Sequence, residues 1–346
     1  MHHKIKKMMR KLNLINVLVF LLTINLFAQE TDSLKARKAQ VSFAYPVGSN
    51  GKSALNYSNN FSFNILYGLN GGLNGVEIGS LLNFNKGKVK GFQLSGIINY
   101  NTQKSSGILL SGISNICRDS SSGILVSGVL NYSKSNSKGF QMATINIATN
   151  EYKGIQFGVI NFAKKLKGIQ FGVINLLENS ENAIPIGLFT IVKKGYYEFE
   201  ITGGEALFAN LNFKMGVEKF YTIYKVAFAT FNNKPVYGFG VGFGRNISLT
   251  NKQKLSIDLS SNQIVYNNKW NNDLNLLNKA DFNYKYSITK KCSVLIGPSF
   301  NVYTTKDKVE GKYGTINIPY TIYTNQWDKG KLIMWFGLNA GLSLKL

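Results

Sequence analysis

From about residue 196 onward the chain alternates apolar residues with small or polar ones. Tyr237, Phe239, Val241 and Phe243 interleave with Gly238, Gly240, Gly242 and Gly244. Phe282, Tyr284, Tyr286 and Ile288 interleave with Asp281, Asn283, Lys285 and Ser287, and Leu255, Ile257 and Leu259 with Ser256, Asp258 and Ser260. The closing run sets Met334, Phe336, Leu338, Ala340, Leu342, Leu344 and Leu346 against Trp335, Gly337, Asn339, Gly341, Ser343 and Lys345. Earlier, Val41 and Phe43 stand against Ser42, and Phe61, Phe63 and Ile65 against Ser62 and Asn64. A period of two predicts strands with one apolar and one polar face. Such strands need different surroundings on their two sides. Lipid outside and a wet or small-residue lumen inside supply them. A water-soluble antiparallel sandwich produces the same alternation, so the pattern alone does not decide.

Between residues 75 and about 190 the pattern becomes a repeat. Gly91-Phe92-Gln93-Leu94-Ser95-Gly96-Ile97-Ile98-Asn99 returns from Gly107 to Asn115 and from Gly123 to Asn131. A looser copy starts at Gly139, two near-identical ones at Gly154 and Gly168, and Gly75–Gly79 and Ile184–Gly187 read as opening and closing copies. The leading glycines fall at 75, 91, 107, 123, 139, 154 and 168. Each copy reads as a nine-residue strand, with Phe92, Leu94, Gly96, Ile98 and Tyr100 on one face and Gln93, Ser95, Ile97 and Asn99 on the other, followed by a polar turn such as Asn101–Ser106. The recurring Gly and Ser leave room for a close backbone. A period of 14–16 admits an up-and-down barrel, one strand per copy, or a parallel β-solenoid, one coil per copy.

The N-terminus changes the setting. Lys4, Lys6, Lys7, Arg10 and Lys11 precede an apolar run from Leu12 to Phe27, then Ala28 and the polar stretch Gln29–Arg37. That order predicts a secretory leader over 1–28, cleaved after Ala28. The run carries Asn13, Asn16 and Asn25 and falls short of the ~20 apolar residues of a helical span. No cysteine follows the cleavage point, which argues against a lipid-anchored lipoprotein. Composition fits β-structure with many turns: 34 Gly, 5 Pro, 23 Phe and 18 Tyr, with no helical periodicity. The formal charge is +23, and removing the five basic leader residues leaves +18. An acidic partner such as lipopolysaccharide phosphate fits this charge. The lysines are scattered through turns (Lys86, Lys88, Lys90, Lys104, Lys153, Lys164, Lys165, Lys167), with no aromatic-interleaved basic tract, so nucleic acid is not expected. Cys117 and Cys292 are one isolated pair and read as two unpaired residues on strand faces.

Chemistry narrows by elimination. Both histidines, His2 and His3, lie in the leader, so the mature chain has no Ser-His-Asp triad, histidine base or histidine metal site. Glu198 and Glu200 share a strand face, and a lumen-facing or solvated pair is the reading preferred over paired catalytic acids. Gly238–Gly244 alternates with aromatics inside a strand and is no phosphate loop.

The repeat G-x-Q-x-(S)-G-x-x-N, with Lys194–Glu200 and Ser260–Val265, resembles a surface-repeat family of exported proteins from Gram-negative bacteria, over about 58–346. The resemblance implies an outer-membrane or surface-associated β-protein and brings no catalytic or ligand-binding residues. The expectation is therefore an all-β, antiparallel outer-membrane-type barrel of roughly 14–18 strands. It comprises a leader (1–28), a polar segment (29–39) and one barrel (40–346) that includes the array (75–190) and the alternating half (196–346). The alternative is a β-solenoid followed by a C-terminal sheet. The expected function is non-enzymatic, with no cofactor, metal or catalytic residue assigned: a structural wall or a passive pore, its lumen lysines such as Lys285 and Lys345 favouring anions. Its partners would be outer-membrane lipid and lipopolysaccharide. The rival function is a surface-exposed repeat module that binds an envelope or extracellular partner.

Overall fold

In a computed structural model, which describes residues 34–180, 182–270 and 273–346, every long element is a strand and the array winds as a parallel solenoid. The leader, and residues 29–33 of the polar segment, lie outside the described residues. Among the described residues no helix is long and apolar enough to cross a membrane.

Each copy of the repeat lies on the next with identical residues in register. Gly91 pairs with Gly107 and Gly107 with Gly123, while Asn99 pairs with Asn115 and Asn115 with Asn131. The stack extends beyond the array. Lys35–Ala44 pairs in parallel with Tyr57–Asn70, which pairs with Gly72–Gly79, and Ala183–Val192 forms the last coil. The alternative architecture for the array is therefore the one adopted. The barrel closes with eight strands rather than 14–18, because the strands of the array pair in parallel with one another in a separate sheet.

The nine-residue unit is not one strand. It breaks at Gly96-Ile97 into Val89–Ser95 and Ile98–Asn101, and the same corner recurs at Gly112-Ile113 and Gly128-Val129. Glycine is required at two points of the coils that begin at Gly91, Gly107 and Gly123. Gly107 has φ 119°, and a Cβ there would land on the carbonyl oxygen of Gly91. A Cβ on Gly112 would overlap the Gly96 carbonyl oxygen in the same way. Only a residue without a side chain allows the coils to approach this closely.

The interior of the coil combines polar side chains with apolar clusters at Leu109, Cys117 and Leu125 and at Tyr152, Leu166 and Leu177. Gln93, Ser95, Asn99 and Asn101 are buried, whereas Leu94, Ile108, Ile113 and Ile124 are exposed. Asparagines form a continuous ladder: the side-chain amide of Asn99 donates to Asn115 Oδ1 at 2.9 Å, Asn115 to Asn131 at 3.0 Å, and so on to Asn175. Each also donates to a carbonyl of the following coil, as Asn115 does to Val126 O at 2.9 Å. That carbonyl borders the corner, where the strand ladder is interrupted, and a buried carbonyl needs a donor. Cys117 stands fully buried in the interior and Cys292 exposed at a barrel hairpin, and both are free.

The barrel consists of Tyr196–Gly204, Ala209–Val217, Phe220–Phe231, Lys234–Ser248, Gln253–Tyr266, Asn275–Ser287, Cys292–Thr305 and Gly330–Lys345, all antiparallel. It closes by pairing the first strand with the last, from Glu198↔Lys345 to Gly204↔Asn339. Connections at one end are short (217–220, 248–253, 287–292). At the other they run 204–209, 231–234, 266–275 and 305–330. The alternation read from the sequence holds: Phe239, Val241, Phe243, Phe282, Tyr284, Phe336 and Leu342 are exposed, and Asp258, Asp281, Asn283, Lys285, Asn339 and Ser343 are buried.

The last coil of the solenoid rests on the barrel wall. Thr222 Oγ1 donates to Gly187 O at 2.7 Å, the Tyr224 hydroxyl donates to Leu188 O, and the Phe189 and Tyr224 rings stack at 5.9 Å. Tyr197 holds both the N–H and the carbonyl of Val192, each at 2.8 Å. The barrel thus covers a sheet edge that would otherwise be a template for further strands.

Replacing Asn115 with Ala removes an acceptor for Asn99 and a donor to Val126 O, each left unsatisfied at about 1–3 kcal/mol. Hydrogen exchange is expected to show protection lost across rungs 98–133 with the barrel strands unaffected. Unchanged protection in those rungs would contradict the ladder's role. Gly107→Ala is expected to open the same coils.

Candidate functional site

The lumen of the barrel gathers the charged residues that alternation points inward. Lys214 Nζ lies 2.7 Å from Glu200 Oε1 and 2.6 Å from Asp258 Oδ2. Lys285 Nζ lies 2.6 Å from Glu198 Oε1 and also binds Glu200. Two tyrosines complete the set: Tyr196 donates to Glu198 at 2.6 Å and Tyr221 to Asp258 at 2.6 Å. One layer further in, Asp281 faces Lys225 at 3.8 Å and Lys279 at 3.5 Å. Next, Glu205 folds in from a connection and accepts from Trp335 Nε1 at 2.6 Å and Asn301 Nδ2 at 3.2 Å. Above these layers, at the long-connection end, an apolar cap of Leu207, Val236, Ile264, Leu277, Tyr303, Ile316 and Ile333 fills the bore.

Glu198 and Glu200 sit in the lumen side by side, as read from their spacing, each tied to a lysine. Of the two lysines expected to face the lumen, Lys285 is buried and paired, and Lys345 lies at the mouth, 3.5 Å from Glu218. The sequence reading did not single out Lys214, Lys225, Asp258, Lys279 or Asp281 as partners. The signal was their place on the polar side of strands such as Leu211-Asn212-Phe213-Lys214-Met215. Which cation meets which anion across 44 residues of sequence, as with Lys214 and Asp258, depends on barrel closure.

At the short-connection end the lumen opens into a hollow of about 560 Å³ lined by Tyr196, Glu198, Asn246 and the lysines 252, 254, 285, 290, 291 and 345. Lys252, Lys290 and Lys291 are exposed at hairpin tips, and Lys254 is held by Glu218 at 2.5 Å. This rim is cationic and attracts anions. It has no histidine or thiol cluster, and among the described residues no group of three His, Cys, Asp or Glu side chains could hold a metal.

A second buried acid lies in the solenoid. Glu77 takes the interior position that Gln93, Gln141, Gln156 and Gln170 hold in later coils, and it accepts from Asn64, Asn70, Asn85 and Gln93 at 2.5–3.0 Å. Burial raises its carboxyl to about 7, outweighing the four amide donors that pull it down. Because the folded state holds this proton more tightly than the unfolded chain, the group stabilises most below the ordinary carboxylate range. That contribution is lost as pH rises through about 7.

Comparison with protein-family models, curated proteins and solved structures found no match to this chain.

Two outcomes follow from these charges. Lys214→Met leaves Asp258 with only the Tyr221 hydroxyl and Glu200 with only Lys285, and is expected to cost roughly 3–5 kcal/mol, read as an earlier thermal loss of the folded barrel. The double change Lys214→Met with Asp258→Asn is expected to recover part of it. Equal stability of Lys214→Met and the parent would contradict the pairing. In the solenoid, hydrogen exchange in 57–101, corrected for intrinsic rate, is expected to quicken between pH 6 and 8.5 in the parent but not in Glu77→Gln.

Proposed function

We propose that this protein is a non-enzymatic outer-membrane β-barrel, exported through a cleaved leader, that acts as a sealed structural wall and holds the solenoid at its side. The observation that carries this reading is the sidedness of the barrel. Aromatic and aliphatic side chains cover its outside, and ion pairs, amides and an apolar cap fill its bore. An apolar belt of this extent on a monomer marks contact with lipid or another protein. In hydrocarbon the backbone must satisfy itself, and a closed barrel does so. Connections are all short at one end, and the two long ones, 266–275 and 305–330, lie at the other, as in the arrangement in which short turns face the periplasm.

Of the two versions weighed from sequence, the wall is favoured over the pore. A pore selective for anions needs lysines with free charge along its bore, and those of the lumen are held by carboxylates. The rival reading, a repeat module with a partner outside the cell, draws support from the solenoid itself. Its outward positions are aliphatic and aromatic, however, and suit lipid better than a polar extracellular ligand.

The refolded protein is expected to migrate faster unboiled than boiled in a gel, and to give no conductance steps in a planar bilayer. Reproducible steps from pure protein would exclude the sealed wall. Cys292, at a short hairpin, is expected to escape an impermeant maleimide in intact cells and to react once the outer membrane is permeabilised. Cys117 is expected to react only after unfolding. Labelling of Cys292 in intact cells would reverse the orientation.

A further inference from the structure

We propose that the solenoid is seated in a single lipid leaflet, the one on the short-connection side of the barrel, with its turns at the phosphates of anionic glycerophospholipids. This deepens the membrane reading of the barrel and rests on it.

The solenoid leaves much apolar surface uncovered, because its interior holds the asparagine and glutamine side chains and room only for inward residues such as Leu109, Leu125 and Leu166. What remains outside is aliphatic and aromatic: Ile108 is 40% exposed, Ile113 at the corner 44% and Phe157 53%. These positions recur coil after coil along the stack, and the face they make is continuous with the outer wall of the barrel through the Phe189–Tyr224 contact. Among the described residues the turns that follow Asn85, Asn101, Cys117 and Ser133 form a polar edge of the stack, and there Lys88, Lys104 and Lys134 are exposed.

The join to the barrel fixes the level. The turn edge of the last coil lies at the short hairpin, where Lys219 Nζ donates to Asn182 Oδ1 at 2.8 Å. Its corner lies higher, at Thr222 and Tyr224 on the wall. Tyr224 stands four residues beyond Phe220, where its strand begins. That is about 13 Å at ~3.3 Å per residue, so the corner stops well short of the far side. From Ile108 to the corner at Ile113 the apolar face is about 17 Å deep. A bilayer hydrocarbon core is about 30 Å, so one leaflet offers about 15 Å. The solenoid therefore enters a leaflet and does not cross the membrane. Its lysine edge falls level with the barrel's rim lysines 252, 290 and 291, where headgroup phosphates lie. Each such lysine gains from an anionic surface.

The test uses the full mature chain carrying Cys292→Ser, since Cys117 is buried. A polarity-sensitive fluorophore is attached at Ile113→Cys, Lys104→Cys or Phe282→Cys, the last on the outer wall of the barrel. Each variant is reconstituted in phosphatidylcholine–phosphatidylglycerol vesicles with nitroxide lipids and first checked for the fast-migrating unboiled form. Labels at 113 and 282 are expected to be quenched by nitroxides on the acyl chain, and the label at 104 by headgroup nitroxide only. Quenching of 113 by aqueous iodide, with 282 still quenched by lipid, overturns the seating and leaves the barrel reading intact. Loss of lipid quenching at both positions overturns both. A label at 113 shielded from lipid and iodide alike also overturns the seating and assigns the face to a second copy. Spin-labelled phosphatidylglycerol is expected to be enriched several-fold over phosphatidylcholine around the parent, and Lys88→Glu with Lys104→Glu to abolish that preference. Equal enrichment in both proteins overturns the phosphate contact.

Discussion

Buried polar side chains hold both halves of this protein together, and they can do so only because neighbouring strands supply their partners. A polar group enclosed without a hydrogen bond costs more than most single contacts return. The solenoid meets this constraint by translation. An asparagine at one level of the stack donates to the same atom of the same residue at the next, so one solution repeats from Asn83 to Asn175. Where the sequence stops repeating, the ladder stops too: Gln170 pairs in register with Pro185, and its Oε1 is left without a partner. The barrel meets the constraint by closure, bringing Lys214 against Asp258 and Lys285 against Glu198 across the bore.

With the polar groups turned inward, the apolar ones must face out, and this gives the two halves one common surface. Both present aliphatic and aromatic side chains to their surroundings. The contact between them follows the same economy. Hydroxyls of Thr222 and Tyr224 take up carbonyls on the open edge of the last coil, so the barrel wall ends the stack without an added strand.

The sidedness of nearly every strand was legible in the sequence, because a period of two fixes faces whatever the strand pairs with. Phe282 faces out and Asp281 in, as the alternation required. The direction of pairing in the array was not legible. Copies that match at every position can lie side by side in either sense, and what selects the parallel coil is local. Gly107 takes a positive φ and Gly112 allows a corner, so the nine-residue unit bends where an uninterrupted strand was expected. The carboxylates Glu198 and Glu200 were placed in the lumen correctly by spacing, but their partners come from strands that closure alone makes neighbours. Charge was the least readable quantity. A large positive excess along the sequence became a neutralised lumen and a cationic rim only once the chain was folded.

The central claim is that lipid, not water, meets the outward faces of these strands. Fractionation of cells making the mature chain tests it directly. The account expects the protein in the outer-membrane pellet, retained through alkaline carbonate and released only by detergent. A mature chain recovered folded from a detergent-free periplasmic extract would contradict it.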